Sequence, residues 1–285
     1  MLRILLTSAL VLLACPYLAA QSNDSLLETG AAAKLAKPPD EKTAMAIATY
    51  NIRWRTGDEL TQICKWLKDK HAVVIALQEV DRAKERTKRS NNARAVAEEL
   101  GMYYAWAAPP LAKSPKDNEE ETGVELLSPY PLRDVMRLVL PHEGPGGRRR
   151  VALGATIEIG KTRVRVYSVH SETRIPIEQK ADQLRAVLTD LDRFAKSLPA
   201  VVMGDFNSWE PTSITSVRQL FTSEGFSTPF ADEDDTFKRN AIIFDLDLKL
   251  DWIWLRGMKA KSFGIDRGVT VSDHFPLWTV TSIAP

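Results

Sequence analysis

Apolar and polar positions along the chain follow two alternating periods. Within Asp58–Lys70, Leu60, Ile63, Cys64 and Leu67 fall at i, i+3, i+4 and i+7, which predicts a helix with one buried stripe. Asn92, Ala93, Val96, Ala97 and Leu100 repeat that spacing and stop at Gly101, a residue suited to a left-handed C-cap. Ile177, Ala181, Leu184, Leu188 and Leu191 mark a longer amphipathic helix. Short apolar runs lie between these stripes: Ala46–Ile52, Val73–Leu77, Leu126–Leu127, Asp134–Leu140, Ala200–Met203, Leu250–Leu255 and Phe275–Val280 read as strands. Val151–Ile159 and Arg163–Val169 flank Gly160-Lys161 as a hairpin. The order has no internal repeat and too many adjacent strands for a purely parallel βαβ protein, so residues 44–285 read as one mixed α/β domain.

A different pattern precedes the domain. Arg3 is followed by the apolar run Ile4–Ala14, too short to span a bilayer but the size of a signal-peptide core, so residues 1–20 read as an export segment. Two cleavage readings compete. Cutting after Ala20 releases a soluble periplasmic or extracellular protein, whereas cutting within Leu12-Leu13-Ala14-Cys15, which resembles a bacterial lipoprotein box, leaves a lipid anchor at Cys15. Residues 21–43, mixed polar, Ala and Lys with Pro38-Pro39, read as a flexible spacer.

Composition narrows the class. At 44% apolar and 26% charged the chain is globular, which excludes a disordered tail, a fibrous rod and a polytopic membrane protein. Lys plus Arg is 38 and Asp plus Glu 37; removing residues 1–20 deletes only Arg3, leaving 37 against 37. Such a balance gives no global field that would grip DNA or an acidic membrane, though a local cleft remains open to either. The two cysteines, Cys15 and Cys64, supply no disulfide framework, and Cys64 on its apolar stripe reads as a small core hydrophobe. Nothing in the sequence marks an obligate protein partner.

Chemically capable residues collect at strand ends. Ala46–Tyr50 runs into Asn51, Val73–Leu77 into Gln78-Glu79, Val164–Val169 into His170, and Ala200–Met203 into Gly204-Asp205-Phe206-Asn207, while Ser272-Asp273-His274 precedes the last strand. Strand ends of packed α/β sheets face ligand crevices. Carboxylate and amide oxygens suit a hard cation such as Mg²⁺, with Mn²⁺ or Ca²⁺ as alternatives, and four histidines without a cysteine cluster argue against a closed zinc site. An acidic metal site with two histidines points to hydrolysis of a phosphate ester.

Thr49-Tyr50-Asn51-Ile52-Arg53, Leu77-Gln78-Glu79-Val80, Gly204-Asp205-Phe206-Asn207, Leu250-Asp251-Trp252-Ile253 and Ser272-Asp273-His274-Phe275-Pro276, in that order, resemble the endonuclease/exonuclease/phosphatase superfamily over about residues 44–282. The resemblance implies a four-layered α/β sandwich, two mixed β-sheets face to face with helices outside. It also implies a hydrolase acting on phosphoric esters: a metal-dependent phosphodiesterase or nuclease whose partner is nucleic acid, a lipid headgroup or a small phosphoester. Carried over residue by residue, Glu79 is the main metal ligand, Asn51 binds metal or phosphate, and Asp273 assists the metal side. Asp205 positions or deprotonates the attacking water, and Asn207 holds phosphate or that water. His274 faces the scissile phosphate with Asp251 on its other nitrogen, and His170 hydrogen-bonds phosphate. A carboxylate on one imidazole nitrogen would fix the tautomer and raise the basicity of the other. Two departures from the family pattern stand out: Val124 occupies a position where many members carry Asn, and Ser171 follows His170 where Leu is usual.

A few further residues lie outside the motifs. Arg148-Arg149-Arg150 reads first as a solvated basic flank, with Arg150 able to bind a substrate phosphate as the second reading. Arg53 is two residues from Asn51 and within reach of a phosphate. Trp209 reads first as loop packing and second as a stacking platform for a base or sugar. Asp232-Glu233-Asp234-Asp235 reads as a solvated acidic loop. The rival to an enzyme is a binding module of the same fold without chemistry, which the retained acidic positions disfavour.

Overall fold

The computed structural model describes residues 26–39, 44–110, 121–240 and 245–283. The export segment with Cys15, and nearly all of the polar loop expected at 113–121, lie outside the described residues.

Two mixed sheets carry the fold. Strands β1 (Leu27–Ala31), β2 (Met45–Asn51), β3 (Val74–Asp81), β4 (Tyr103–Ala107) and β5 (Thr122–Ser128) join β13 (Met258–Ile265) and β14 (Leu277–Ile283) in the order β1-β4-β5-β3-β2-β14-β13. The second sheet has the order β12-β9-β8-β7-β6, from β6 (Leu132–Val139), β7 (Val151–Ile159), β8 (Thr162–His170), β9 (Ala200–Asp205) and β12 (Asp251–Arg256). A separate hairpin pairs β10 (Phe237–Asn240) with β11 (Asp245–Leu248). Each large sheet has one parallel pair, β2 with β3 and β8 with β9. A parallel pair needs a crossover, supplied by α1 (Gly57–Asp69) in the first case and α3 (Ile177–Leu191) in the second.

Strand alternation sorts the side chains into layers. Ile47, Val74, Ala76 and Leu126 of one sheet meet Leu153, Val166, Met203 and Ile253 of the other in the central core. On the outer face of the first sheet, Tyr50, Ile75 and Leu77 pack beneath Ile63 and Cys64 of α1 and Val96 of α2 (Asn92–Leu100). Tyr167, Val202 and Trp254 of the second sheet pack beneath Leu184 of α3 and Phe221 of α4 (Pro211–Ser223). The result is helix, sheet, sheet, helix, the four-layered sandwich expected. Gly101 caps α2 with φ +67°, donating its amide to Ala97 and Glu98 carbonyls.

Some elements differ from the sequence reading. Residues 27–31, placed in a flexible spacer, form β1 against β4. Glu28 fastens that strand by accepting hydrogen bonds from Arg82, Asn91 and Tyr104 at 2.9, 3.0 and 2.6 Å. These partners lie more than fifty residues away, so no local pattern announces the strand. Helix α4 and strands β4, β10, β11 and β13 also escape the periodicity reading. In α4 the buried set is Ser213, Val217 and Phe221, too polar a stripe to register, and β13 is an edge strand rich in exposed polar positions.

Glu125 on β5 stands opposite Leu77 and Trp106 and is fully buried on the helix side of its sheet. Neither carboxyl oxygen has a hydrogen-bond partner among the described residues. Burial, reinforced by the Glu28 carboxylate, holds this carboxyl well above the ordinary carboxylate range. With the folded value raised above the unfolded one, its contribution is most favourable below about pH 4.3 and is lost as pH climbs toward the folded value. Glu125→Met is therefore expected to stabilise the protein by about 1–3 kcal/mol at pH 8 and by less at pH 5, measured by urea unfolding. Equal effects at both pH values would contradict the assignment.

Candidate active site

Register brings the chemical residues to one end of the sandwich. In the parallel pair β8–β9, His170 stands opposite Asp205, and in the antiparallel pair β9–β12, Asp205 stands opposite Asp251. Asn51 at the end of β2 is opposite Gln78, next to Glu79. The carboxyl ends of the parallel strands thus coincide with the start of antiparallel β12 and with the approach to antiparallel β14, where Asp273 and His274 lie. Ser272 ties that approach to β2, its Oγ donating to the Asn51 carbonyl at 2.8 Å and its amide to the Tyr50 hydroxyl at 3.1 Å.

Asp205 is the hub. Its Oδ2 accepts from Asn51 Nδ2 at 3.0 Å, joining the two sheets, and lies 3.5 Å from His170 Nε2 and 3.9 Å from His274 Nε2. Its Oδ1 accepts from the Asn207 amide at 3.0 Å. Asp251 Oδ2 is 2.8 Å from His274 Nδ1, the orienting pair expected from the sequence. Thr236 fixes Asp251 from behind, with Oγ1 accepting the amides of Leu250 and Asp251 at 2.9 Å each. The Phe237 ring closes over His274, edge-on at 5.0 Å.

Two backbone distortions aim the ligands. A bulge between Gln78 and Val80 leaves Glu79 at φ +56°, and Asn207 sits at φ +50°. Left-handed backbone at a non-glycine residue costs about 1–3 kcal/mol and persists where its surroundings hold it. Asn207 is held by Nδ2 donating to the Ser171 carbonyl at 3.0 Å and by Lys180 Nζ donating to its own carbonyl at 3.0 Å. Glu79 Oε1 is 3.4 Å from Asn51 Nδ2. Under the site, buried Gln78 bridges the sheets through Nε2 to Ser168 Oγ at 3.1 Å.

Electrostatics separates the two histidines. Burial and the adjacent Arg150 hold His170 well below the ordinary imidazole range. Burial disfavours the His274 imidazolium as well, but the charge and hydrogen bond of Asp251 overcome it and raise its pKa. Burial pushes the Asp205 carboxyl up, opposed by His274 and the Asn51 hydrogen bond and aided by Asp251 and Glu79.

The donor set fits a hard divalent cation. Glu79 and Asp205 both accept from the Asn51 amide, Asp251 pairs with His274, and the buried Oδ1 of Asp251 has no hydrogen-bond partner among the described residues. Ligand-capable atoms of Asp205, Asp251 and His274 lie within 4.8 Å of one another.

A sequence model described as the Endonuclease/Exonuclease/phosphatase family matches residues 48–274. The chain belongs to this family. Members of the family are phosphoester hydrolases, and divalent-metal dependence is typical of the fold. No curated protein matches the sequence. Among solved structures, a family protein from Leptotrichia buccalis is similar at 19% identity and TM-score 0.66, with 84% of this chain and 100% of that chain covered. The human Nocturnin catalytic domain with bound sulfate is similar at 18% identity and TM-score 0.65, covering 87% of this chain and 100% of that one. D. rerio TDP2 with a single-strand DNA product is similar at 14% identity and TM-score 0.63, covering 84% of this chain and 98% of that one.

Against the family pattern, the structure brings Asn51, Glu79, His170, Asp205, Asn207, Asp251 and His274 into one cluster. Asp273 lies beside them, ion-paired to Arg53 at 2.7 Å, so Arg53 meets a carboxylate. Two first readings change. Arg148 and Arg150 are not a solvated flank, because both pair with the buried carboxylate of Glu172, Arg150 from a largely buried position, whereas Arg149 pairs with Glu143. Trp209 is not packed away: it is 43% exposed, with the Lys180 ammonium 5.9 Å from its ring centroid. Val124, at the position of the missing amide, is buried in the central core. Glu172, Thr236, Phe237 and Lys180 were invisible as site residues. For Glu172 one signal existed, an acid two residues beyond His170.

Proposed function

We propose that the protein is an exported, divalent-metal-dependent phosphoesterase that cleaves phosphodiester bonds by attack of water, as a nuclease or phosphodiesterase. The observation that carries this reading is the convergence of His170, His274, Asn51 and Asn207 on the single carboxylate of Asp205. Asp205 orients the water and takes its proton. His274 keeps a proton on Nδ1 against Asp251 and turns Nε2 toward the reacting phosphoryl group, where it serves the leaving oxygen. Glu79 and Asn51 would hold the ion, with Asp273 on the same side and Mg²⁺ the cation best suited to these oxygens. When bound, it supplies neutralisation of the phosphate oxygens.

Charge and an exposed aromatic near Asn207 support one substrate class. A chain of zero net charge after loss of residues 1–20 suits turnover of a small or locally gripped phosphoester more than tight duplex binding. Exposed Trp209, two residues past Asn207, offers a face on which a base or sugar can stack, which favours a nucleotide-bearing diester over a lipid headgroup. Export rests on residues 1–20, with release after Ala20 favoured over lipidation at Cys15.

The test is hydrolysis of bis(4-nitrophenyl) phosphate by the purified protein. Activity is expected to vanish with EDTA and return with Mg²⁺, and Mn²⁺ and Ca²⁺ are to be compared. Failure to turn over this diester, phosphate monoesters, DNA and sphingomyelin alike would favour the binding-module reading instead.

A further inference from the structure

The two site histidines are wired in opposite senses, His274 by Asp251 of the family motifs and His170 by residues outside them. His274 Nδ1 faces a carboxylate, which can only accept, so that nitrogen carries the hydrogen. His170 Nδ1 lies 3.3 Å from Arg150 Nη1. A guanidinium has no acceptor, so the hydrogen between these nitrogens belongs to Arg150, and Nδ1 of His170 must offer its lone pair. The imidazole is then uncharged with its hydrogen on Nε2, the atom that points at Asp205 Oδ2.

Arg150 is not free to choose that pose. Its Nε donates to Glu172 Oε2 at 3.2 Å, while Arg148 takes the same carboxylate in a fork, Nη2 to Oε1 at 2.6 Å and Nε to Oε2 at 3.0 Å. Glu172 is fully buried and fixed at both ends of its own residue: the carboxylate also accepts the Arg174 amide at 3.1 Å, and the Glu172 amide donates to Gln183 Oε1 on α3 at 2.8 Å. Gly144 leaves room for this carboxylate, since a Cβ there would stand 2.6 Å from Glu172 Cδ. Two arginines on one carboxylate leave one positive charge over beside the cleft.

We propose that Glu172 is a positioning residue that clamps Arg148 and Arg150 so that Arg150 fixes His170 as the Nε2–H tautomer, making His170 a neutral hydrogen-bond donor to the substrate phosphate rather than a base. This rests on the phosphoesterase reading for its benefit to the reaction, but the tautomer itself does not. Proton transfer is left to Asp205 and His274, and His170 contributes donation to the phosphoryl oxygens. Burial and the Arg150 charge both disfavour an imidazolium at this position, in keeping with the geometry.

Long-range ¹H–¹⁵N NMR of the ¹⁵N-histidine-labelled full chain reads the tautomer directly, without turnover. Wild type is expected to show His170 with Nε2 protonated and Nδ1 bare. Glu172→Gln, which keeps the shape and removes the charge, is expected to mix the two tautomers and lower kcat about 10- to 100-fold with KM moved much less. Arg150→Lys, which keeps a donor and a charge, is expected to restore most of the Nε2–H form. Should Glu172→Gln not fold, Arg150→Met gives the same readout. Nδ1 protonated in wild type, or an unchanged Nε2–H tautomer in both Glu172→Gln and Arg150→Met, would overturn the proposal. A wild type that hydrolyses no phosphoester yet shows the expected tautomers would remove the proposed function and leave the clamp standing.

Discussion

Asp205→Ala is expected to lower kcat for a phosphodiester about 1,000-fold or more while leaving the protein folded. The Asp205 carboxylate meets four partners: Asn51 from the facing sheet, the Asn207 amide, and both imidazoles. Its loss removes the group that orients water and the common acceptor that keeps these donors aimed at one point. Asp205→Asn sharpens the experiment, because it keeps the shape and one accepting oxygen, for Asn51 or for the Asn207 amide, while the charge and the second acceptor are gone. Steady-state rates, with circular dichroism as the folding control, decide the matter. If Asp205→Asn keeps more than a tenth of wild-type kcat, Asp205 is not the base.

Gly204→Ala is expected to cost about 3 kcal/mol or more in stability. Gly204 has φ +134°, a conformation essentially closed to side-chain-bearing residues, and it pairs with Val169 in the parallel β8–β9 ladder. An added Cβ would overlap the Val169 carbonyl oxygen and press on Gln78 Nε2, the hydrogen bond that bridges the sheets beneath the site. Gln78 is buried between the sheets and Val169 is buried beneath the helices of the second sheet, so neither strain nor overlap can relax outward. The matching fall in melting temperature is about 6–12 °C for a domain of this size. Gly225→Ala separates the two causes: φ is +76° there, but nothing lies within 4 Å of the added carbon, so only a backbone penalty of about 1 kcal/mol is expected. Equal losses at the two positions would mean that close approach of the strands is not what requires glycine in Gly204-Asp205-Phe206-Asn207.

How much of this was legible in the chain depends on the range of the interaction. The buried stripes of α1, α2 and α3 repeat within a dozen residues, and local spacing alone predicts them. The same holds for the β7–β8 hairpin around Gly160-Lys161, whose pairing needs only a two-residue turn. Strand β1 shows the opposite case: its hydrogen bonds run to residues 82, 91 and 104, and nothing in Leu27–Ala31 records them. Helix α4 was hidden for a milder reason, since Ser213 occupies a buried position that periodicity expects to be apolar.

For the site, the sequence by itself determined which residue types stand at strand ends, and the family resemblance ordered them into one chemistry. What it could not determine was the wiring. That Arg150 turns to His170 and Glu172 while Arg149 turns to Glu143 follows from which face of β7 and its approach lies against β8, a matter of strand register between distant segments. Side chains one residue apart face opposite ways on an extended chain, so an arginine triplet carries no sign of which members are buried until its neighbours are in place. Tertiary structure likewise decided that Asp205 meets Asn51 across 154 residues of chain, because only the packing of two sheets with their parallel pairs pointing the same way closes that 3.0 Å contact.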